Sequence, residues 1–251
     1  MTRAFFCNIA FIFVLYAPYY AIASGIPYEE IEKAANDEIR LHLNGARIED
    51  LRFLGFENQT EIDHAELGEG YQIFTIPPDR LLDESKSQDY LSMVTPTGEW
   101  EFPVLAGGKG KVLLKVAFRD GKWKNIRMGG SGFASLMVIF QTFFPASSGY
   151  HYRFISEYPF GRSFIELSQG FKLLGIIPIN SIALNEQEIT KENFLCHLRD
   201  PKNVLPGLRA AVKQRIEGCR KAPKDNNKWL NIYPIVREYP PLLDYKLRTS
   251  E

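Results

Sequence analysis

The stretch MGGSGFASLMVIFQTFF, residues 128 to 144, sets three glycines and a serine at the head of an apolar run with helical period. Amides of a glycine-rich turn at a helix start can hold an anion, with Ser131 placed to act as N-cap. The same glycines can equally serve a tight strand-to-helix turn. As a nucleophile Ser131 lacks the G-x-S-x-G frame, because Phe133 stands where the second glycine belongs. Further on, His151 and Arg153 alternate with aromatic residues in YHYRFISEY. That alternation fits a polar patch for a ligand, and it also fits the wet side of a sheet. Gly129, Gly130, Ser131, His151 and Arg153 are therefore the candidate ligand-binding set. An exported hydrolase would need Ser131 and His151 in one cleft, and nearness in sequence does not make a triad.

Other motifs carry less. GGKGK, residues 107 to 111, has the lysine of a phosphate loop, but Lys111 is followed by Val112 and a strand pattern. A phosphate loop needs a hydroxyl residue there and then a helix, so the stretch reads as a hairpin turn. The four histidines, His42, His64, His151 and His197, show no metal-ligand spacing. His64 lies in EIDHAE, which reads as a solvated loop. No catalytic residue, metal or cofactor is assigned.

These residues need elements to position them. PYEEIEKAANDEIRLHL starts with proline, places acids early and Arg40 and His42 late, and so suits a helix dipole. Its apolar stripe is Ile31, Ala34, Ala35, Ile39 and Leu41. Strands follow at YQIFTIP, EWEFPVLA and KVLLKVAF; the last sets Val112, Leu114, Val116 and Phe118 on one face and Lys111 and Lys115 on the other. That is the pattern of a half-buried antiparallel sheet. Asp120-Gly121 marks a type I′ hairpin into WKNIRM, whose apolar residues change parity, as at a bulge or an edge. After the apolar helix and PASSG come further strands in YHYRFISEY, SFIEL and FKLLGIIPI, then helices at TKENFLCHLRD and NVLPGLRAAVKQRIEG. The order reads as α+β: helices on an antiparallel sheet, then a C-terminal helical segment. Residues 24 to 185 form the α+β domain, in one sheet or in two with a boundary near 145 to 149; residues 186 to 251 form the helical segment and an apolar, proline-bearing C-terminus.

The first 23 residues have one arginine, an uncharged apolar core and an Ala-Ile-Ala end, the pattern of a secretory signal cut after Ala23. The alternative is an uncut anchor, since the uncharged run from Ala4 to Ala23 is of spanning length. The body of the protein is expected to be exported, periplasmic or extracellular, with membrane contact only through this segment if it stays uncut. Two cysteines then remain, Cys196 and Cys219, and an even count in an exported chain points to a disulfide. Helical spacing speaks against it, because an antiparallel pairing would face Cys196 with a residue near 206. With 30 positive and 30 negative residues, no overall field attracts nucleic acid. KVLLKVAFRDGKWK interleaves lysines with aromatics, a pattern for single-stranded nucleic acid that export disfavours; an anionic glycan or lipid surface suits an exported chain better.

TPTGEWEFPVLAGGKGKVLLKVAFRDGKWK, and above all VAFRDGKWKNIRMGG, resembles exported bacterial cystatin-like α+β proteins, including PepSY-type modules. The resemblance covers roughly residues 28 to 185 and implies a helix across an antiparallel sheet and a role in binding or inhibiting exported partners. It carries no site residues, and the cysteine segment and C-terminus lie outside it. The expected function is an exported, non-catalytic binding or assembly protein with an exported protein partner.

Overall fold

The computed structural model describes residues 27–83, 90–157, 162–179, 182 and 189–221. The expected signal segment and the apolar C-terminus lie outside the described residues. The described chain is α+β, built on one mixed sheet of eight strands. The strands are β1 (Glu66–Leu67), β2 (Tyr71–Thr75), β3 (Thr95–Ala106), β4 (Lys109–Arg119), β5 (Lys122–Gly129), β6 (Tyr150–Glu157), β7 (Arg162–Gln169) and β8 (Lys172–Pro178). They lie in the order β5-β4-β3-β2-β6-β7-β8, with β1 also paired to β3.

Two hairpins make the first half. Gly107 and Gly108 both have positive φ, 58° and 75°, and join β3 to β4 in two residues. Asp120 and Gly121 do the same between β4 and β5, with φ of 50° and 77°. Positive φ at both central residues is the I′ signature that suits strand twist. GGKGK is thus a turn and the start of a strand. At the parity change in WKNIRM, Lys115 faces Arg127 while Val116 faces Asn125, so Ile126 is a bulge on an edge strand.

The expected boundary near 145 to 149 is a short 3-10 turn, Ala146–Ser148, after which the chain returns to the same sheet. β6 lies parallel to β2, Ile73 opposite Phe154. β6, β7 and β8 then run antiparallel. One sheet, and not two, spans both halves.

Helices cover both faces. On the first face, α1 (Tyr28–Leu43) buries Ile31, Ala35, Ile39 and Leu43 against Trp100, Phe102, Val104, Val112, Leu114 and Val116. Leu41, expected in that stripe, is 73% exposed, and Leu43 takes its place at the helical interval from Ile39. The short helices α2 (Ile48–Leu51) and α3 (Gln59–Asp63) close this layer. Farther along the same face, α4 (Pro78–Leu82) and α5 (Tyr90–Met93) cover Phe74, Ile155, Phe164 and Ile176. On the second face, α6 (Ser131–Phe143) and α7 (Lys191–Cys196) bury Leu136, Met137, Phe140 and Phe194 against Tyr71, Ile73, Phe154, Ile165 and Ile177. The last helix, α8 (Pro201–Lys221), returns to the first face through Leu205, Leu208 and Val212. The sheet is therefore buried on both sides rather than half-buried, and Lys111 and Lys115 are 7% and 5% exposed.

A latch ties α1 to the sheet: the Gly70 N–H donates to the Tyr28 hydroxyl at 3.0 Å. Burial pushes the Tyr28 phenol up to about 12, and Tyr71 is likewise raised well above its ordinary value by burial beside Glu101. The unfolded chain releases these protons near pH 10, the folded chain later. This part of the stability is complete below pH 10 and is lost as pH rises toward 12. Melting temperatures measured from pH 8 to 12 should fall above pH 10, and fall less steeply for Tyr28→Phe. Equal slopes for the two proteins would contradict this.

Candidate functional site

The structure disperses the residues expected to bind a ligand. Gly129 ends β5 opposite Leu113. Gly130, not Ser131, is the N-cap of α6, with φ of 75° and no side-chain cap. The chain turns from strand to helix in one residue at positive φ, which favours glycine over serine. Ser131 is the first residue inside the helix and is exposed. The amides of Phe133 and Ala134 both donate to Gly130 O, which takes up part of the helix start. α6 also takes over the edge of β4 where β5 has stopped: Ser135 Oγ donates to Gly110 O at 2.8 Å. A Cβ at Gly110 would lie 2.5 Å from the Ala134 backbone, so only glycine allows that contact.

Arg153 is committed elsewhere. It makes a bidentate pair with Glu166 at 2.8 and 2.6 Å and lies over the Phe74 ring. His151 shares its face of β6, and its carbonyl accepts from Ser168 Oγ. Ser131 follows β5, and four strand spacings separate β5 from β6 in the sheet order, about 19 Å. The structure does not bring Ser131 and His151 into one cleft. His64 Nδ1 bonds Thr60 O, one turn back in α3. Among the described residues no three His, Cys, Asp or Glu side chains are gathered to hold a metal.

The expected disulfide is not formed. Cys196 is an exposed free thiol at the end of α7, and its Sγ donates to Asn193 O. Cys219 lies 18 residues into α8, which places its backbone about 27 Å along the helix. Even a fully extended link from Cys196 to Pro201 recovers only about 17 Å of that, and the bond needs Cα atoms within about 7 Å. Compartment chemistry suggested the pair, and helix geometry excludes it.

Sequence patterning set Lys111 and Lys115 in solvent; both are buried and paired. Lys111 Nζ meets Glu61 at 2.8 Å, and that hydrogen bond holds the Glu61 carboxyl below its ordinary value. Lys115 Nζ lies 3.2 Å from both Glu99 and Glu101, and the Tyr71 hydroxyl donates to Glu101 at 2.9 Å. A lysine held between two carboxylates is a charged strut rather than a nucleophile. Its partners, two residues apart on the neighbouring strand, were the available signal.

What remains is an edge. β8, the strand at one end of the sheet, is bridged at one residue by Arg199: Ile176 N–H donates to Arg199 O and Arg199 N–H to Ile176 O, both at 2.9 Å. Among the described residues no strand pairs with the outer edge of β5. Exposed apolar side chains flank it, Phe118 at 46% and Ile126 at 42%. β5 is the candidate site, and its chemistry is backbone pairing. Comparison with known protein families, curated proteins and solved structures finds no match to this chain.

Two outcomes test this description. Lys115→Met strands two carboxylates and should cost about 3 kcal/mol in urea unfolding, with much of it recovered in Glu101→Gln/Lys115→Met; no loss in the single variant would contradict a buried strut. Iodoacetamide should label Cys196 in the native protein without reductant, and dithiothreitol should leave the melting temperature unchanged. A fall of several degrees would show a disulfide.

Proposed function

We propose that the chain is an exported, non-catalytic binding or assembly protein that holds an extended segment of another exported protein along β5. The observation that carries this reading is the unequal treatment of the two sheet edges. At β8 the Ile176–Arg199 bridge takes up one position of the edge, whereas among the described residues no strand pairs with the outer edge of β5, which is a template for strand addition away from its bulge, where the Arg127 N–H donates to Asn125 Oδ1. Phe118 and Ile126 add exposed apolar surface beside that template. The fit to exported cystatin-like or PepSY-type proteins is supported by α1 lying across β3, β4 and β5, while α6 on the other face and the parallel β2–β6 pair go beyond that pattern. Export itself rests on the signal-like pattern of residues 1 to 23. Among the described residues no helix is long and apolar enough to cross a membrane, and membrane contact is proposed only for that first segment if it stays uncut.

A photoreactive phenylalanine at Ile126, on β5, and separately at Lys172, on β8, tests the edge in living cells. The expected result is a discrete protein adduct from position 126, recovered from the exported fraction and missing from position 172. Equal adducts from both positions, or none from 126, would overturn the proposal.

A further inference from the structure

The β4–β5 hairpin sorts its side chains by chemistry. Arg119 faces Lys122, Ala117 faces Lys124, and Lys115 faces Arg127 across the two strands. Four cations, Arg119, Lys122, Lys124 and Arg127, therefore share the second face of the sheet at its open edge. Arg127 and Lys122 are exposed, as is Arg119 at 58%. The acids beside them are Asp120, 2.6 Å from Lys124, and Glu99, 4.0 Å from Arg119. Trp123 faces Phe118 on the opposite side, where the two rings meet edge-on at 5.7 Å. There a shallow groove of about 350 Å³ opens between α1 and the Phe118–Trp123 pair, with Ala34 at its apolar side and Glu30, Lys33, Asp37 and Lys122 around it.

On either side of the bulge at Ile126, a strand added to β5 would follow the same alternation. Its side chains on one face would meet the four cations, and those on the other would meet Trp123, Phe118 and the groove. We propose that β5 selects an extended acidic segment in which every second residue is Asp or Glu and the residues between are apolar. This rests on the reading of β5 as a docking edge. Single-stranded nucleic acid fits less well, because base stacking needs rings and cations on one surface, and here they lie on opposite faces. A polysaccharide would use the cations and leave the backbone edge idle.

The test uses the full chain and a fluorescein-labelled peptide of alternating Asp and Leu, about eight residues long, read by anisotropy. A rearranged peptide with its aspartates grouped, and Lys122→Glu/Arg127→Glu protein, should each bind about tenfold more weakly; Lys172→Glu, on the other edge, should bind as the parent does. The same peptide with alternate backbone nitrogens methylated keeps its charges and loses strand pairing, and should not bind. Binding that ignores the charge reversal but is lost on methylation would overturn the acidic selection and leave the docking edge standing. Binding that ignores methylation, and is displaced by dextran sulfate, would overturn the edge itself in favour of a general polyanion patch. No binding of the alternating peptide would overturn the proposed sequence pattern, and the crosslink from Ile126 would then judge the edge alone.

Discussion

The parallel pairing of β2 with β6 is the constraint on which the rest of the structure depends. It turns two antiparallel meanders into one sheet, and it obliges the chain to travel from the β5 edge back to the middle. A parallel connection cannot be made by a tight turn. Here α6 makes it, and in doing so covers a second face that an antiparallel meander would have left wet. The parallel pair also puts β5 and β8 at opposite ends of the sheet. The molecule is then left with two edges, and the link between α7 and α8 reaches only one of them.

Covering the second face decides the fate of its charges. Lys115 lies on that face beside Tyr71, Ile73 and the apolar side of α6, where an isolated ammonium would be costly. Glu99, Glu101 and Tyr71 supply its partners from adjacent strands, within hydrogen-bonding reach. The Arg153–Glu166 pair does the same on the other face, beside Phe74. Such pairs add little net stability compared with apolar residues of the same shape, but they penalise a register slip that would separate them. In a sheet whose strands are apolar on both faces, alternation alone cannot fix register, and charge pairing is one physical means of doing so.

This also explains what was legible in the sequence. Both I′ turns, the bulge at Ile126, the first helix and the apolar helix after Gly130 are written in local residue chemistry, since φ preference and short-range period do not need the fold. The burial of Lys111 and Lys115 is not local. Lys111 is met by Glu61 of α3, some fifty residues before it, and Lys115 is covered where α6 passes over β4 on the way to β6, whose pairing with β2 is a contact some eighty residues apart in sequence that no window on the chain contains. The Arg153–Glu166 pair was invisible for the same reason, so Arg153 looked available for a ligand. The serine N-cap failed on a finer point: polar preference at the cap is weaker than the steric demand of a strand-to-helix reversal at positive φ, and Gly130 meets that demand. The edge at β5 was half legible, as a parity change and a run of lysines, but its openness depends on strand order.

An open edge is a hazard unless it is restricted, and β5 carries two of the usual restraints: lysines along the strand and a bulge that breaks its flat template. Such features oppose the zipping together of two copies, because like charges would meet. A strand of opposite charge meets no such repulsion, so in the proposed reading the charge that opposes self-association is also the basis of selection. β8 has no such cluster of cations, and there backbone bonds to Arg199 take up the edge at Ile176. Had burial been the only requirement, the β5 edge could have been closed in the same way. Charging an edge in place of covering it is the solution that keeps the backbone accessible, and it gives the binding reading its physical content.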